Sequence, residues 1–255
     1  MANKPISLLI FSVDLEPADG NTSLSVERSI RATASELVKL FQKYHIPATW
    51  GVNDIAKSAR AAIVRDADSV HELAFLGGHQ PATTASRKTL ANQLTRTIHE
   101  ARNVDVNVRS IVGFNVAAEN TDLLVKNQIF ATRSPSNSSR RFSFVSPHAV
   151  RYGVWNMPAS CYYPARHSWL SDMTAFHYQR MIRMAAARKK TVHMVMDAYK
   201  LSQMSNWATG VERLLDTAAK YRRTGQMQVL TLCQAVEGLR VSSSNCTQSV
   251  LRRAA

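Results

Sequence analysis

The feature that most constrains this sequence is an alternation. Short apolar runs are followed, again and again, by segments whose apolar positions recur at helical spacing. The first run, Ser7-Leu8-Leu9-Ile10-Phe11-Ser12-Val13, has no polar alternation and is too short for a buried helix. That is the pattern of a strand covered on both faces. After a polar loop over 17–22, Ser25 is placed to cap a helix that carries Ile30, Leu37, Leu40 and Phe41 on one face. This helix stops before Pro47, and 48–52 is the second strand. The same reading gives strands at 71–75, 110–116, 191–196 and 227–231, with apolar residues again at 129–131. Helices fall at 86–103, 121–127, 174–188, 210–223 and 232–239.

Strand–helix units repeated six or seven times predict an α/β fold, a distorted (β/α) barrel of about six or seven mostly parallel strands. One domain over 1–240 accommodates it. Residues 135–164 are rich in Ser, Pro and Tyr and read as an irregular insertion over one barrel end. The basic, Ser-rich tail 241–255 reads as disordered. In such folds sites lie at the carboxyl ends of strands. That rule selects Asp14, Glu16, the Gly77-Gly78-His79 turn, Asn115 and Asp197.

Composition excludes several classes. No apolar run approaches the roughly 18 residues of a membrane span, and Asp14 cuts the N-terminal run too short for a signal peptide. Cys161, Cys233 and Cys246 are odd in number and widely spaced. They form neither a metal motif nor a disulfide framework, which points to a reducing, cytoplasmic setting. The net charge of +14 suggests an anionic partner. Its clusters (Arg140-Arg141, 188–190, 220–223, Arg252-Arg253) are scattered and have no aromatic-interleaved stripe. A solvated surface and a polyanion site therefore both stand.

Several segments resemble the polysaccharide deacetylases (NodB-homology, carbohydrate esterase family 4-like). Phe11-Ser12-Val13-Asp14-Leu15-Glu16 and Tyr44-His45-Ile46-Pro47-Ala48-Thr49-Trp50 are similar to that family's acidic strand end and its "IPAT-aromatic" strand. His71-Glu72-Leu73-Ala74 resembles the lead-in to its metal motif, and Val112-Gly113-Phe114 its "GFR.P" strand. The run from His193 to Leu201 is similar to its last catalytic strand, and the likeness spans about 7–239.

The resemblance implies a general base, a divalent metal held by an acidic residue and two histidines, and a final histidine that protonates the leaving amine. Only the base position, Asp14, keeps its residue type. The adjacent ligand position is Leu15, the two metal histidines fall on Leu76 and Gln80, and the "GFR.P" Arg and Pro are Asn115 and Ala117. The last histidine is Asp197. A leucine supplies no donor at the roughly 2.0–2.2 Å that a metal needs. No metal is therefore expected; a rearranged zinc or other divalent site would draw on Glu16, Asp19 and His79.

Bland readings accompany these residues. Asp14 is a carboxylate receiving donors at a strand end, or a pocket group. Asp197 is an ion-pair member or a ligand contact. His193, mid-strand among apolar residues, reads as a satisfied core histidine. Trp155, Tyr162 and Trp169 stack on sugar rings or fill core under the long segment. Three functions remain open: a deacetylase-like protein of carbohydrate chemistry with impaired or absent catalysis, an active deacetylase on an N-acetyl sugar, and a polyanion binder.

Overall fold

A computed structural model describes residues 6–16, 23–67, 70–77, 87–113, 117–134, 144, 146–164 and 171–240. The elements run β1 (Ser7–Asp14), α1 (Leu24–Lys43), β2 (Thr49–Val52), α2 (Ala59–Arg65), β3 (Glu72–Leu76), α3 (Arg87–Arg102) and β4 (Ser110–Val112). After a 3-10 turn come α4 (Thr121–Lys126), β5 (Ala131–Arg133), β6 (His148–Ala149), β7 (Trp155–Asn156), β8 (Cys161–Tyr163) and α5 (Ser171–Arg188). The chain continues through β9 (Thr191–Asp197), α6 (Ala198–Ser202), α7 (Trp207–Arg223), β10 (Met227–Leu230) and α8 (232–240).

The strands make one sheet, ordered β6-β7-β5-β4-β3-β2-β1-β9-β8, with β10 added to β1. Every pair is parallel except β6 with β7. The sheet curls into a half-barrel, the distorted α/β barrel that the alternation predicts. Ten strands replace the expected six or seven. The additional ones are β6, β7 and β8, from the segment read as irregular; at two or three residues each they have no period to read. The stretch between β7 and β8 bridges the two ends of the sheet. Met157 N–H donates to Thr132 O of β5, and Ser160 N–H to His193 O of β9, each at 2.8 Å.

β1 is apolar throughout because it has no solvent face. Leu9, Phe11 and Val13 join the outer layer with α1, α5 and α7, while Ile10 points into the barrel with Ala74, Leu76, Val112 and Ala131. Ile30, Ala34, Leu37, Val38 and Phe41 form the buried stripe of α1. Its cap is Ser23 and not Ser25: the Ser23 hydroxyl accepts from Val26 N–H. Burying a side chain such as Phe41 contributes about 1.5–3 kcal/mol.

The bottom of the barrel is closed by the N-terminus of α8. Thr231 and Gln234 form a reciprocal capping box, each side chain accepting from the other's backbone N–H. Glu72, the first residue of β3, then accepts from Cys233 N–H at 3.0 Å, from Thr49 Oγ1 and from Ser110 Oγ. A carboxylate at a helix N-terminus is favourable, so Glu72 anchors α8 while Leu232, Ala235 and Val236 plug the interior. No helix among the described residues is long and apolar enough to cross a membrane.

One packing contact makes a direct prediction. A Cβ on Gly210 of α7 would lie 2.2 Å from Tyr163 Oη, whereas at Gly238 of α8 nothing lies within 4 Å. Gly210→Ala should therefore destabilise by about 1–3 kcal/mol through overpacking. Gly238→Ala should stabilise by up to about 1 kcal/mol through helix propensity. Urea midpoints with unchanged slopes read both, and a stabilising Gly210→Ala contradicts the packing.

Candidate functional site

Asp14 ends β1 and Asp197 ends β9, and the two are register partners at the carboxyl end of the sheet. Both oxygens of Asp14 accept from Arg133 Nη2, at 2.8 Å each. Arg133 ends β5 and is 1% exposed. On the other side Asp197 Oδ1 accepts from Lys200 N–H at 3.1 Å, capping α6, and Oδ2 pairs with Lys200 Nζ at 2.6 Å. The result is a row of four charges in which two neighbouring carboxylates, Asp14 and Asp197, are flanked by Arg133 and Lys200. The donor to Asp14 at the strand end is a guanidinium and not a backbone N–H. Asp197 takes the ion pair.

Electrostatics in this row compete. Burial pushes the Asp14 carboxyl above its ordinary range, the charge and hydrogen bond of Arg133 pull it back, and Asp197 adds to the rise; the net direction is upward.

Apolar groups fill the space beside Asp14. A Cβ on Gly51 would lie 2.7 Å from Val112 Cγ2, 3.1 Å from Asp14 Oδ1 and 3.4 Å from Leu76 Cδ1. Gly113 has φ 73, and a Cβ there would stand 2.9 Å from Leu76 Cδ1 and 3.6 Å from Arg133 Nη2. The two glycines let Leu76, Val112, Asp14 and Arg133 crowd together. Leu76 thus puts methyl groups where the deacetylase resemblance places an imidazole.

Glu16 is turned elsewhere. It pairs with Arg60 Nη2 at 2.7 Å, and Arg60 also reaches Glu27 at 3.2 Å and Leu15 O. This network ties the end of β1 to α1 and α2. Burial raises the Glu16 carboxyl against the pull of Arg60. Among the described residues no three His, Cys, Asp or Glu side chains are grouped to hold a metal. A leucine offers no donor, and a guanidinium repels a divalent cation. The described residues at this position therefore do not fit the metal that the resemblance implies. Asp19, His79, Asn115 and Trp169 lie outside the described residues.

His193 sits four residues before Asp197 on β9. Its Nδ1–H donates to Met157 O at 2.8 Å, and its Nε2 accepts from Ser12 Oγ at 2.7 Å. A carbonyl can only accept, which fixes the tautomer. Burial first, and then the Arg133 charge, hold its pKa down at about 3. It is a neutral core histidine. Trp155 is half-buried against the inner cluster. Tyr162 is half-buried on the strand face opposite Cys161 and Tyr163. Burial pushes the Cys161 and Cys233 thiols up, so neither is a thiolate nucleophile.

No protein-family model and no curated protein matches the sequence. Solved structures do. A Mycobacterium smegmatis protein assigned as a polysaccharide deacetylase superposes with a TM-score of 0.72 at 14% identity, over 95% of this chain and 93% of that one. The fold is that of the polysaccharide deacetylases. Puue allantoinase shares it, with a TM-score of 0.66 at 11% identity over 92% and 93% of the two chains. So does a mutant of BA3943, a CE4 family pseudoenzyme, at 0.53 and 13% over 92% and 68%.

Sequence reasoning missed Arg133, Lys200 and Arg60. The carboxyl-end rule would have found Arg133 had the apolar piece at 129–131 been extended by two residues to the observed strand end.

Proposed function

We propose that this protein uses the carboxyl end of a deacetylase-type barrel to bind a carbohydrate, with an N-acetyl sugar as the favoured ligand, and that it lacks metal-dependent deacetylation. One observation carries the reading: Asp14, at the position of the family's base, is held on both oxygens by buried Arg133 while Leu76 fills the adjacent space. A carboxylate whose two oxygens both accept from a guanidinium is a poor metal ligand, since its lone pairs are engaged and the neighbouring cation repels a metal ion. Asp197, at the position of the family's proton donor, is tied to Lys200 instead. Of the residues that a rearranged metal site could draw on, Glu16 is already engaged by Arg60. The fold itself occurs in a protein named as a pseudoenzyme.

The test is metal and acetate together. Protein purified without chelator should carry substoichiometric zinc, cobalt or nickel, and should release no acetate from N-acetylated chito-oligosaccharides with any of these metals added. Calorimetry with the same oligosaccharides should show binding. One metal per chain with acetate release returns the preference to an active deacetylase. Introducing Leu15→Asp, Leu76→His and Gln80→His should give weak zinc binding while Arg133 remains, and clearly tighter binding once Arg133→Met is added. Removing the guanidinium frees Asp14 and relieves its repulsion of the ion.

A further inference from the structure

At the opposite, N-terminal end of the strands lies a cavity of about 310 Å³, between the starts of β4, β5 and β7 and the ends of α4 and α8. Its wall includes Arg109, Gln128, Phe130, Tyr152 and Arg240. The Arg240 guanidinium stands over the Phe130 ring, 5.2 Å from its centroid. Arg109 pairs with Glu237 at 3.2 Å, and Arg102 donates to Gln128 at 3.4 Å.

The rim is unusual in two ways. Tyr152 is 69% exposed and holds a left-handed backbone, φ 52, in a tight turn where Val150 N–H donates to Val154 O. Such a conformation is strained for a tyrosine and gathers at ligand clamps. Val125 of the wall and Val150 of the same turn are also exposed, so three of the seven exposed large hydrophobics among the described residues stand at or beside this cavity. The bottom face of a barrel ordinarily serves stability. A ligand-sized cavity there, with cations and a projecting ring, is not required for packing.

We infer that this cavity binds an acidic sugar residue of an anionic glycan. A volume near 300 Å³ suits one ring with its charged group. Arginines favour carboxylate or sulfate, and the exposed face of Tyr152 suits stacking on a sugar ring. A nucleic-acid strand calls instead for several stacking platforms along a basic groove, and among the described residues only one exposed aromatic ring stands at this cavity. The net charge of +14 draws such a polymer in. This site is independent of the reading at the Asp14 end.

Calorimetry with trigalacturonate, its methyl ester and an oligodeoxythymidylate of equal charge tests the inference on the full chain. Trigalacturonate should bind about tenfold tighter than its ester, as loss of a charge-assisted hydrogen bond implies, and should weaken with salt. Arg240→Gln and Arg109→Gln should each weaken the acid several-fold and leave the ester unchanged. Tyr152→Ala should weaken both, and Glu237→Gln, which frees Arg109, should strengthen the acid. The last variant guards against loss through misfolding, because it predicts a gain. Equal binding of acid and ester, no binding, or indifference to all four substitutions overturns the inference. Tighter, equally variant-sensitive binding of the oligodeoxythymidylate overturns it in favour of nucleic acid.

Discussion

Arg133→Met should cost about 3–5 kcal/mol of folding stability at pH 7, because it leaves a buried carboxylate without its counter-charge. The partners are 1% and 18% exposed, so solvent screens little of the loss. Asp14→Asn should cost a comparable amount by stranding the guanidinium. The double variant Asp14→Asn, Arg133→Met should lose less than the sum of the two, with a coupling of about 2–3 kcal/mol. Urea unfolding measures all three. With a domain's total stability at about 5–15 kcal/mol, either single variant is expected near the edge of folding, and near-ultraviolet dichroism shows which side it falls on. The pH dependence gives a second reading. Asp14 has a raised folded pKa, so it favours the fold most below its ordinary 3.8 and loses that contribution as pH rises through the folded value. Without Arg133 the folded value climbs further. The deficit of Arg133→Met should therefore be greatest at neutral pH and shrink in acid. An Arg133→Met protein within about 1 kcal/mol of wild type at pH 7 would remove the ion pair from the argument.

Parts of this arrangement were legible in the sequence and parts were not, for physical reasons. β1 and β9 stood out because burial on both faces leaves unbroken apolar runs, and Asp14 and Asp197 were marked by ending them. Their partners were not. A buried guanidinium contradicts what the residue type leads one to expect, and Arg133 meets Asp14 across 119 residues of chain. For Asp197 the sequence allows an ion pair or a ligand contact, and the structure shows a local pair with Lys200, three residues on. In the sequence Glu72 is legible only as part of a motif. Its bond to Cys233 depends on α8 returning beneath the barrel, which no local pattern encodes. Residues 148–163 read as irregular because strands of two or three residues have no periodicity, although Met157 and Ser160 bridge the ends of the sheet.

His193 makes the second large prediction, and its sign is opposite to that of Asp14. Its folded pKa stands at about 3 against an ordinary 6.5, so the fold prefers the neutral ring. The associated stability is fully present above pH 6.5 and is lost as pH falls through about 3. At about 1.4 kcal/mol per pH unit, that loss amounts to about 4–5 kcal/mol over the window. His193→Gln keeps a donor and an acceptor but cannot be protonated. At pH 7 it should be less stable than wild type by about 1–2 kcal/mol, through imperfect hydrogen bonds to Ser12 and Met157. In acid the order should reverse, since only wild type must bury a new charge. Carboxylates, Asp14 included, titrate in both proteins and largely cancel in the difference. Urea midpoints measured from pH 7.5 to 3.5 should cross, whereas parallel curves would mean that His193 stays neutral at little cost or finds solvent. Arg133 enters here as well, because its charge helps to hold His193 neutral. In an Arg133→Met background the folded pKa of His193 should rise towards its ordinary value, and the acid loss attributable to the ring should shrink. One guanidinium would then modulate both pH signatures, each of which burial sets first.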